Sequence, residues 1–364
     1  LHSFINERIK YIMPNYTTIN KSSDYFNTKT YAGNGNSSHG ITGINFKPDW
    51  TWIKSRSNAS DHILTDIVRG ATVGIKSNTT AGNATDGNQL KSFDSDGFTL
   101  GSENDVNGSG RTYVAWNWKA NGAGSANTAG SINSTVSANT TAGFSIVKYT
   151  GNATVSTIGH GLGVAPKMII TKNLSRSDAW PVDCRQGNSG AGGIMYLNET
   201  GTLGAYGNTS PYPSTAPTST VYSVGTAGNT NYSGSDLIAY CFAEKIGFSK
   251  FGQYIGNGSA TNGTFIYTGF KPAMFIIKRA DTSAGQWTIF DNKRNTFNLV
   301  RAMLVPNGTD VELSQNENNM DFLSNGVKMY NSDGVFNANG SKYIFMAFAE
   351  APLVGTNNVP CTAR

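Results

Sequence analysis

The sequence predicts an all-β protein built from three tandem, related β-sandwich-like repeats of about 100 residues each. Two phrases carry this prediction: a strand that begins beside a proline and ends in lysine, and a hydrophobic strand that closes each unit. Both recur three times in the same order with similar spacing, which indicates one structural unit per period. Charged residues make up only 14% of the chain and aromatic residues 11%, a composition typical of extracellular or virion β proteins.

The recurring phrases place the boundaries of six parts. These are an N-terminal segment (1–23), repeat 1 (24–120), a linker rich in Gly, Ser, Asn and Thr (121–142), repeat 2 (143–246), repeat 3 (247–352) and a C-terminal tail (353–364). The three predicted repeats are called segments 1, 2 and 3 from here on. Within 1–13, isoleucines at helical spacing before Pro14 predict a short amphipathic helix that packs on the first repeat or docks onto a neighbouring chain.

Each segment opens with an aromatic strand that runs into a Gly/Asn turn, which is the pattern of a β-hairpin. The Pro-led strand follows, with copies at 46–54, 164–172 and 270–278. The closing strand has copies at 110–118, 234–242 and 340–348. Because both faces of the closing strand are mostly apolar, we expect it to be central in its sheet and covered on both sides. The second layer of the sandwich supplies one cover, and a neighbouring repeat or protomer supplies the other.

One acidic and two basic residues recur at similar positions in each segment. They are Lys54, Asp66 and Arg69; Lys172, Asp183 and Arg185; and Lys278, Asp291 and Arg294. Such groups can bind a sugar or an anion, but a pair present in every copy is more simply explained by the shared fold. The sequence therefore favours a structural Asp–Arg or Asp–Lys pair that fixes the loop leaving the sheet. His62 stands where the later copies have Trp180 and Trp287, which argues against three equivalent binding sites.

The candidate binding residues are four tyrosines in a loop-rich stretch of segment 2. They are Tyr206, Tyr212, Tyr222 and Tyr232. Tyrosines that have nothing to pack against are able to stack on sugars, although they equally serve as loop anchors. If they recognise a host glycan, they should be exposed together at one tip of the molecule.

The sequence predicts no enzyme, no catalytic residue, no metal site and no cofactor. Glycoside cleavage needs two carboxylates in one site, whereas each segment offers one recurrent aspartate. The four histidines lack metal-ligand spacing, and the three cysteines share no repeat position. A polysaccharide depolymerase remains an alternative, with Glu199, Glu312 and Glu317 as acids that could complete a site between protomers.

Charge and hydropathy limit the partners. A net charge of +5 without any Lys/Arg run argues against nucleic acid. No apolar run approaches the length of a membrane span, and the first residues lack a signal-peptide pattern, so we expect a soluble chain. The missing initiator methionine suggests a processed product or part of something longer.

Five phrases carry a resemblance to a known family. They are Asp24–Thr28, Thr112–Lys119, Gly159–Lys167, Ile238–Glu244 and Phe345–Pro352. Together they resemble a domain of unknown function that is widespread in marine bacteriophages, pelagiphages and cyanophages among them. The resemblance covers nearly the whole chain from about Asp24 onward and implies a virion structural protein without established catalytic residues.

The expected function is that of an elongated phage tail fibre or other surface appendage, located on the virion. We expect it to contact other virion proteins, to self-associate with a trimer favoured, and to touch host-surface glycans through several weak contacts. The first alternative is a capsid or tail decoration or scaffold protein with no ligand of its own. The sequence leaves open whether the repeats stack in line or close on each other.

Overall fold

The computed structural model describes residues 17–185, 193–282, 285–314, 319–355 and 359–362. The chain is nearly all β, with 43% of residues in strands and 4% in helices, so the predicted all-β class is confirmed. The amphipathic helix predicted at 1–13 lies outside the described residues.

Segment 1 contains two sheets that face each other. Its strands are β1 (Phe26–Ala32), β2 (His39–Thr42), β3 (Trp50–Ser55), β4 (Ile63–Asp66), β5 (Val73–Lys76), β6 (Ala84–Thr85), β7 (Leu90–Asp94), β8 (Gly97–Leu100) and β9 (Thr112–Trp118). The larger sheet has the order β1-β9-β3-β4-β5-β6, and the smaller has β2-β8-β7. A 3₁₀ turn (Ser22–Asp24) precedes β1, and one helical turn, α1 (Asn104–Asn107), precedes β9.

The next sheet begins before segment 2 itself. Its region contains β10 (Ser125–Asn127), β11 (Ser134–Asn139), β12 (Phe144–Thr150), β13 (Ser156–Gly159), β14 (Met168–Asn173), β15 (Pro181–Asp183), β16 (Ile194–Tyr196), β17 (Val221–Val224), the helical turn α2 (Gly228–Asn231) and β18 (Asp236–Phe242). The large sheet has the order β10-β11-β12-β18-β14-β15-β16, while β13 pairs with β17.

Segment 3 has a large and a small sheet like segment 1, and a third sheet of two short strands. Its strands are β19 (Ser249–Ile255), β20 (Phe265–Tyr267), β21 (Phe270–Arg279), β22 (Trp287–Asp291), β23 (Ala302–Met303), β24 (Leu313–Ser314), β25 (Met320–Leu323), β26 (Gly326–Met329) and β27 (Lys342–Pro352). The sheets have the orders β19-β27-β21-β22, β20-β26-β25 and β23-β24.

The three large sheets share one core order: opening strand, closing strand, Pro-led strand and the strand after it. The orders are β1-β9-β3-β4, β12-β18-β14-β15 and β19-β27-β21-β22. The closing strands β9, β18 and β27 each pair antiparallel with a neighbour on both sides, and their central residues are buried. The prediction of a central strand covered on both faces is confirmed.

The two faces of the closing strand enter different cores. In segment 1, Tyr113 and Ala115 join the apolar cluster between the two sheets, while Trp116 and Trp118 join a cluster that contains residues of all three segments. Aromatic rings dominate that shared core, and such pairs add about 0.5–1.5 kcal/mol each beyond the area they bury. The burial that stabilises each sheet therefore also holds the segments together.

Aromatic contacts connect every pair of segments. Trp50 stacks on Tyr240 with ring centres 4.3 Å apart, and Phe26 stacks on Phe348 at 5.0 Å. Phe242 meets Phe348 at 6.0 Å. Each segment thus contacts both others, so the expected elongated array, in which the first and third segments would be apart, is not what the chain forms.

The stretch 121–142, whose composition suggests an extended linker or a loosely packed crossing segment, contributes β10 and β11 to the large sheet. Its strand β11 pairs with β12 over six residues, and Val136 is buried. The small residues that suggest a linker also permit close packing, since a Cβ on Gly124 would stand only 3.0 Å from the Val136 carbonyl. Composition alone does not separate a loose connection from a closely packed edge strand.

Candidate functional site

The recurrent Asp–Arg pair fixes the turn that leaves the sheet. In segment 1, Arg69 Nε lies 2.5 Å from Asp66 Oδ2, and both side chains are buried. The Arg69 guanidinium also donates to the carbonyls of Leu64 and Val73. In segment 3, Arg294 Nε lies 2.6 Å from Asp291 Oδ2, again fully buried. This is the geometry of a structural Asp–Arg pair, the interpretation that the sequence favours.

Two of these aspartates also accept a hydrogen bond from the closing strand of another segment. Tyr240 Oη of segment 2 donates to Asp66 Oδ2 at 2.8 Å. Trp116 Nε1 of segment 1 donates to Asp291 Oδ2 at 3.0 Å. Tyr240 and Trp116 occupy the same position in their closing strands, so the buried carboxylates connect segment 2 to segment 1 and segment 1 to segment 3. Burial raises the pKa of Tyr240 well above its ordinary value, which keeps the donor protonated.

The third carboxylate is completed within its own segment. Asp183 is one residue out of register with Asp66 and Asp291: Trp50 pairs with Asp66 and Met274 with Asp291, whereas Ile169 pairs with Asp183. Cys184 therefore stands at the aspartate position, Met346 stands at the position of Tyr240 and Trp116, and Asp183 points to the other face of its sheet. Asp183 instead accepts from Tyr206 Oη at 2.8 Å and from Arg185 Nε at 3.0 Å. The Arg185 guanidinium lies 4.1 Å from the centre of the Tyr206 ring. Burial raises the pKa of Asp183 despite these donors.

The recurrent lysines hold backbone loops of a neighbouring segment. Their Nζ atoms donate to carbonyls across three contacts: Lys54 to Thr309 at 3.3 Å, Lys172 to Thr80 at 2.6 Å, and Lys278 to Thr200 at 2.9 Å. All three are buried, and burial lowers the pKa of each to about 8. None of them forms an ion pair with a described carboxylate, so the Asp–Lys alternative does not apply within that part of the chain.

The loops that receive these lysines share an Asn-x-Thr phrase that sequence reasoning missed. The copies are 78–80, 198–200 and 307–309. The Asn Oδ1 accepts the backbone N–H of His62, Trp180 or Trp287 in its own segment. The indoles of Trp180 and Trp287 then reach the neighbouring loop, donating to the carbonyls of Lys76 and Tyr196. The recurrence of this triplet after each Asp–Arg pair was an available signal.

A second missed residue is the buried asparagine three positions before the glycine of each closing phrase. The copies are Asn107, Asn231 and Asn337. Each Nδ2 donates to a nearby carbonyl, those of Gly101, Gly225 and Asn331 respectively. Each Oδ1 accepts a backbone N–H from the turn after the opening strand. The constant offset from the glycine could have identified this residue from the sequence.

The four candidate tyrosines do not form an exposed cluster. Tyr212 and Tyr222 are 0% and 1% exposed, so these two are loop anchors and are not available to stack on a sugar. The loop folds back over the sheet, where Tyr212 Oη lies 2.8 Å from Thr171 Oγ1. Tyr206 is half-buried against Asp183, and Tyr232 is 45% exposed with the Arg176 guanidinium 3.9 Å from its ring centre.

Of the three acids considered for catalysis, Glu312 joins the first and third segments. It receives two hydrogen bonds from Arg56 at 2.8 Å and lies 3.3 Å from Arg294. Glu199 borders a shallow polar cleft with Gln286, and Glu317 lies outside the described residues. His62 is buried and accepts from Trp52 Nε1, and burial lowers its pKa well below the usual value.

The described residues contain no group of three or more His, Cys, Asp or Glu side chains arranged to hold a metal ion. None of the helices found among them has the length and apolar character needed to cross a membrane.

Comparison with known proteins gives a family and no close relative. The family described as Domain of unknown function (DUF7483) matches residues 21–352. No curated protein and no solved structure matches the chain. Since the family match spans most of the sequence, including every contact between segments described above, the chain belongs to the DUF7483 family.

Proposed function

We propose that the protein is a non-enzymatic structural part of a bacteriophage particle, a tail-fibre-like or other surface appendage that contacts host-surface glycans. The main support is that its buried charged side chains make structural contacts within the protein. The buried Asp, Arg and Lys side chains are engaged in holding three β segments to one another, which is the work of a rigid structural part. The resemblance to phage domains supports a location on the phage particle.

The proposal includes three tandem repeats that close on each other. The common strand order, the two Asp–Arg pairs at matching positions and the three lysine-to-carbonyl contacts support it. The lysine contacts run from segment 1 to 3, from 3 to 2 and from 2 to 1. A closed order of this kind gives each segment one donating and one accepting neighbour, as in a cyclic assembly.

The alternative of a decoration or scaffold protein has one observation of its own. Ile246 is 75% exposed and Tyr267 57% exposed, and both line one cleft together with Leu353 and Val354. Exposed apolar groups gathered at one place favour contact with another protein. In this alternative the neighbour is a capsid or tail protein, and the chain binds no glycan.

Antibodies against the purified chain test the particle assignment. We expect them to label intact phage particles at a fixed position in electron micrographs, and unlabelled particles would overturn the proposal. Light scattering and a glycan array on the same sample then distinguish a host-binding appendage from a decoration protein. A trimer that retains glycans fits an appendage, whereas a chain that binds none fits a decoration protein. Release of new reducing ends from surface polysaccharide would establish a depolymerase instead.

A further inference from the structure

Segment 1 has a pocket of about 260 Å³ beside β5 and β6. Its lining includes Asp61, Ile63, Gly74, Lys76, Ala84 and Gln89. Ligand pockets for drug-sized molecules start at about 300 Å³, so this one suits a smaller molecule. None of these residues takes part in the Asp–Arg or lysine contacts between segments; only the backbone carbonyl of Lys76 has a role described above, as an acceptor for Trp180.

Gln89 gives the pocket an unused hydrogen-bond acceptor. Its side chain is 8% exposed, and its Oε1 atom has no hydrogen-bond partner among the described residues. A buried amide oxygen without a partner is rare, because burial costs it the hydrogen bonds it makes in water. The atom lies over Gly74, at the place where a Cβ on that residue would stand. A ligand that donates an O–H or N–H here would satisfy it.

The pocket depends on Gly74. Strand register places this glycine of β5 at the position of Ile194 in β16 and Met303 in β23. Ile194 belongs to the apolar cluster within segment 2, and Met303 packs against the cluster shared by the three segments. Segment 1 therefore has the Gln89 amide and the neighbouring pocket where the other two segments have a large apolar side chain, although the surrounding strands follow the same order.

The pocket has hydrogen-bonding groups at its rim and apolar walls, a combination that suits a sugar ring. Lys76 Nζ lies 2.6 Å from Asp61 Oδ2, and Asn78 Nδ2 donates to Asp61 Oδ1 at 2.7 Å. This rim offers both donors and acceptors, while Ile63 and Ala84 contribute apolar surface. A pyranose presents hydroxyl donors and acceptors at its edge and C–H groups on its faces, and small-molecule sites combine those two surfaces in the same way.

We propose that this pocket binds a single pyranose unit, with one ring hydroxyl donating to Gln89 Oε1 and the others bonding to the Asp61–Lys76 rim. The inference rests on the glycan contact of the proposed function and gives that contact a location. One such site binds weakly, with a dissociation constant of about 1 mM, and several copies on one particle would add avidity.

Saturation-transfer difference NMR on the purified full chain tests the pocket. The probes are D-glucose, D-galactose, D-mannose, L-fucose and N-acetyl-D-glucosamine, each titrated alone. We expect at least one to show saturable transfer. Gly74→Ile fills the pocket with the residue that segment 2 carries, so it should abolish the signal. Gln89→Leu removes the acceptor and should weaken binding about tenfold.

Gly87→Ala is the matched control, since a Cβ at Gly87 meets nothing within 4 Å; it should leave binding unchanged. If Gly74→Ile does not fold, the loss of sugar binding in Gln89→Leu tests the inference on its own. No saturable transfer from any of the five sugars would overturn the inference, and so would a signal that persists in both pocket variants. Either result leaves the antibody-labelling test of the particle role untouched, so the two failures are distinguishable.

Discussion

Asp66 shows how much one buried side chain connects. Its carboxylate accepts from Arg69 in the same segment and from Tyr240 in the next, and it also accepts the backbone N–H of Arg69. Removal of the carboxylate would leave the Arg69 guanidinium buried without its counter-charge. An uncompensated buried charge is among the few defects that cost a protein several kcal/mol.

We therefore expect Asp66→Ala to lower the free energy of unfolding by about 3–5 kcal/mol. Urea denaturation followed by circular dichroism measures the change. The control is Lys21→Ala, which breaks an ion pair whose side chains are 64% and 45% exposed and should cost less than about 1 kcal/mol. Similar losses in the two variants would contradict the importance given to the buried pair.

The buried lysines give stability a particular dependence on pH. Their pKa values near 8 in the folded chain lie below the value of about 10.4 for an unfolded lysine. Between these values the unfolded chain binds more protons, so the free energy of unfolding rises with pH. Below about pH 8 the lysines are charged in both states and contribute no slope. Above about pH 10 unfolded tyrosines ionise while buried ones such as Tyr240 do not, which reverses the trend.

Denaturation midpoints at about pH 7.5 and about pH 9.5 test this sign. The free energy of unfolding should be higher at the upper pH. Lys172→Met removes one of the three titrating groups and should reduce the rise by about a third. A profile that is flat or falls over this range would show that these lysines titrate near their ordinary value.

Among the elements, the turn before each closing strand shows a requirement that the sequence encodes directly. Gly110, Gly234 and Gly340 have φ values of 73°, 75° and 73°, in the left-handed region where a side chain is strained. A Cβ at any of them would meet nothing within 4 Å. The glycine is thus required for backbone conformation and not for space.

We expect Gly234→Ala to destabilise the protein by about 1–2 kcal/mol, the cost of an L side chain in this region. The matched control is Gly40→Ala, since Gly40 also has open space around its Cβ position but lacks a positive φ. There the substitution restricts the unfolded chain and should be neutral or slightly stabilising. Thermal denaturation of the two variants side by side makes the comparison. Equal melting temperatures would contradict the requirement for glycine at position 234.

The elements also show what the sequence could predict. Alternation along the closing strand reports its two faces, because side chains on a strand point to opposite sides. The double cover of β9, β18 and β27 follows from that pattern. Tyr212 and Tyr222 could not be placed in this way, since a loop has no periodicity that shows whether it lies over a sheet or extends into solvent.

The candidate sites also divide into contacts that the sequence predicts and contacts that only the fold shows. The Asp–Arg pairs could be predicted from a few residues of spacing, because both partners belong to one turn. The lysine contacts with Thr80, Thr200 and Thr309 join residues tens to hundreds of positions apart and end on backbone carbonyls. A carbonyl has no sequence signal of its own, so those contacts need the fold. The Gly74 pocket likewise depends on a cross-strand position that only register reveals.

At the scale of the whole molecule, the shared aromatic core makes the segments depend on each other. Loss of one segment would expose rings such as Trp50 and Phe348 that now pack against the other two. We expect one cooperative unfolding transition for the full chain, with tryptophan fluorescence and circular dichroism changing together. The isolated stretch 143–246 should be far less stable. Separate transitions in the full chain would indicate independently stable segments.

The presence of Cys184 and Met346 where the other segments have an aspartate and its donor shows that the three segments can change independently. In an assembly of three identical chains, one substitution alters all three interfaces at once. Here each interface is encoded by its own residues, so Trp116 and Tyr240 donate to a buried aspartate at two contacts, while Met346 and Cys184 occupy the corresponding positions of the donor and the aspartate in segments 3 and 2. The same independence allows Gly74 to open one segment while Ile194 and Met303 keep the other two filled. Joining the three units in one chain separates the residues that maintain the architecture from those free to acquire a new role.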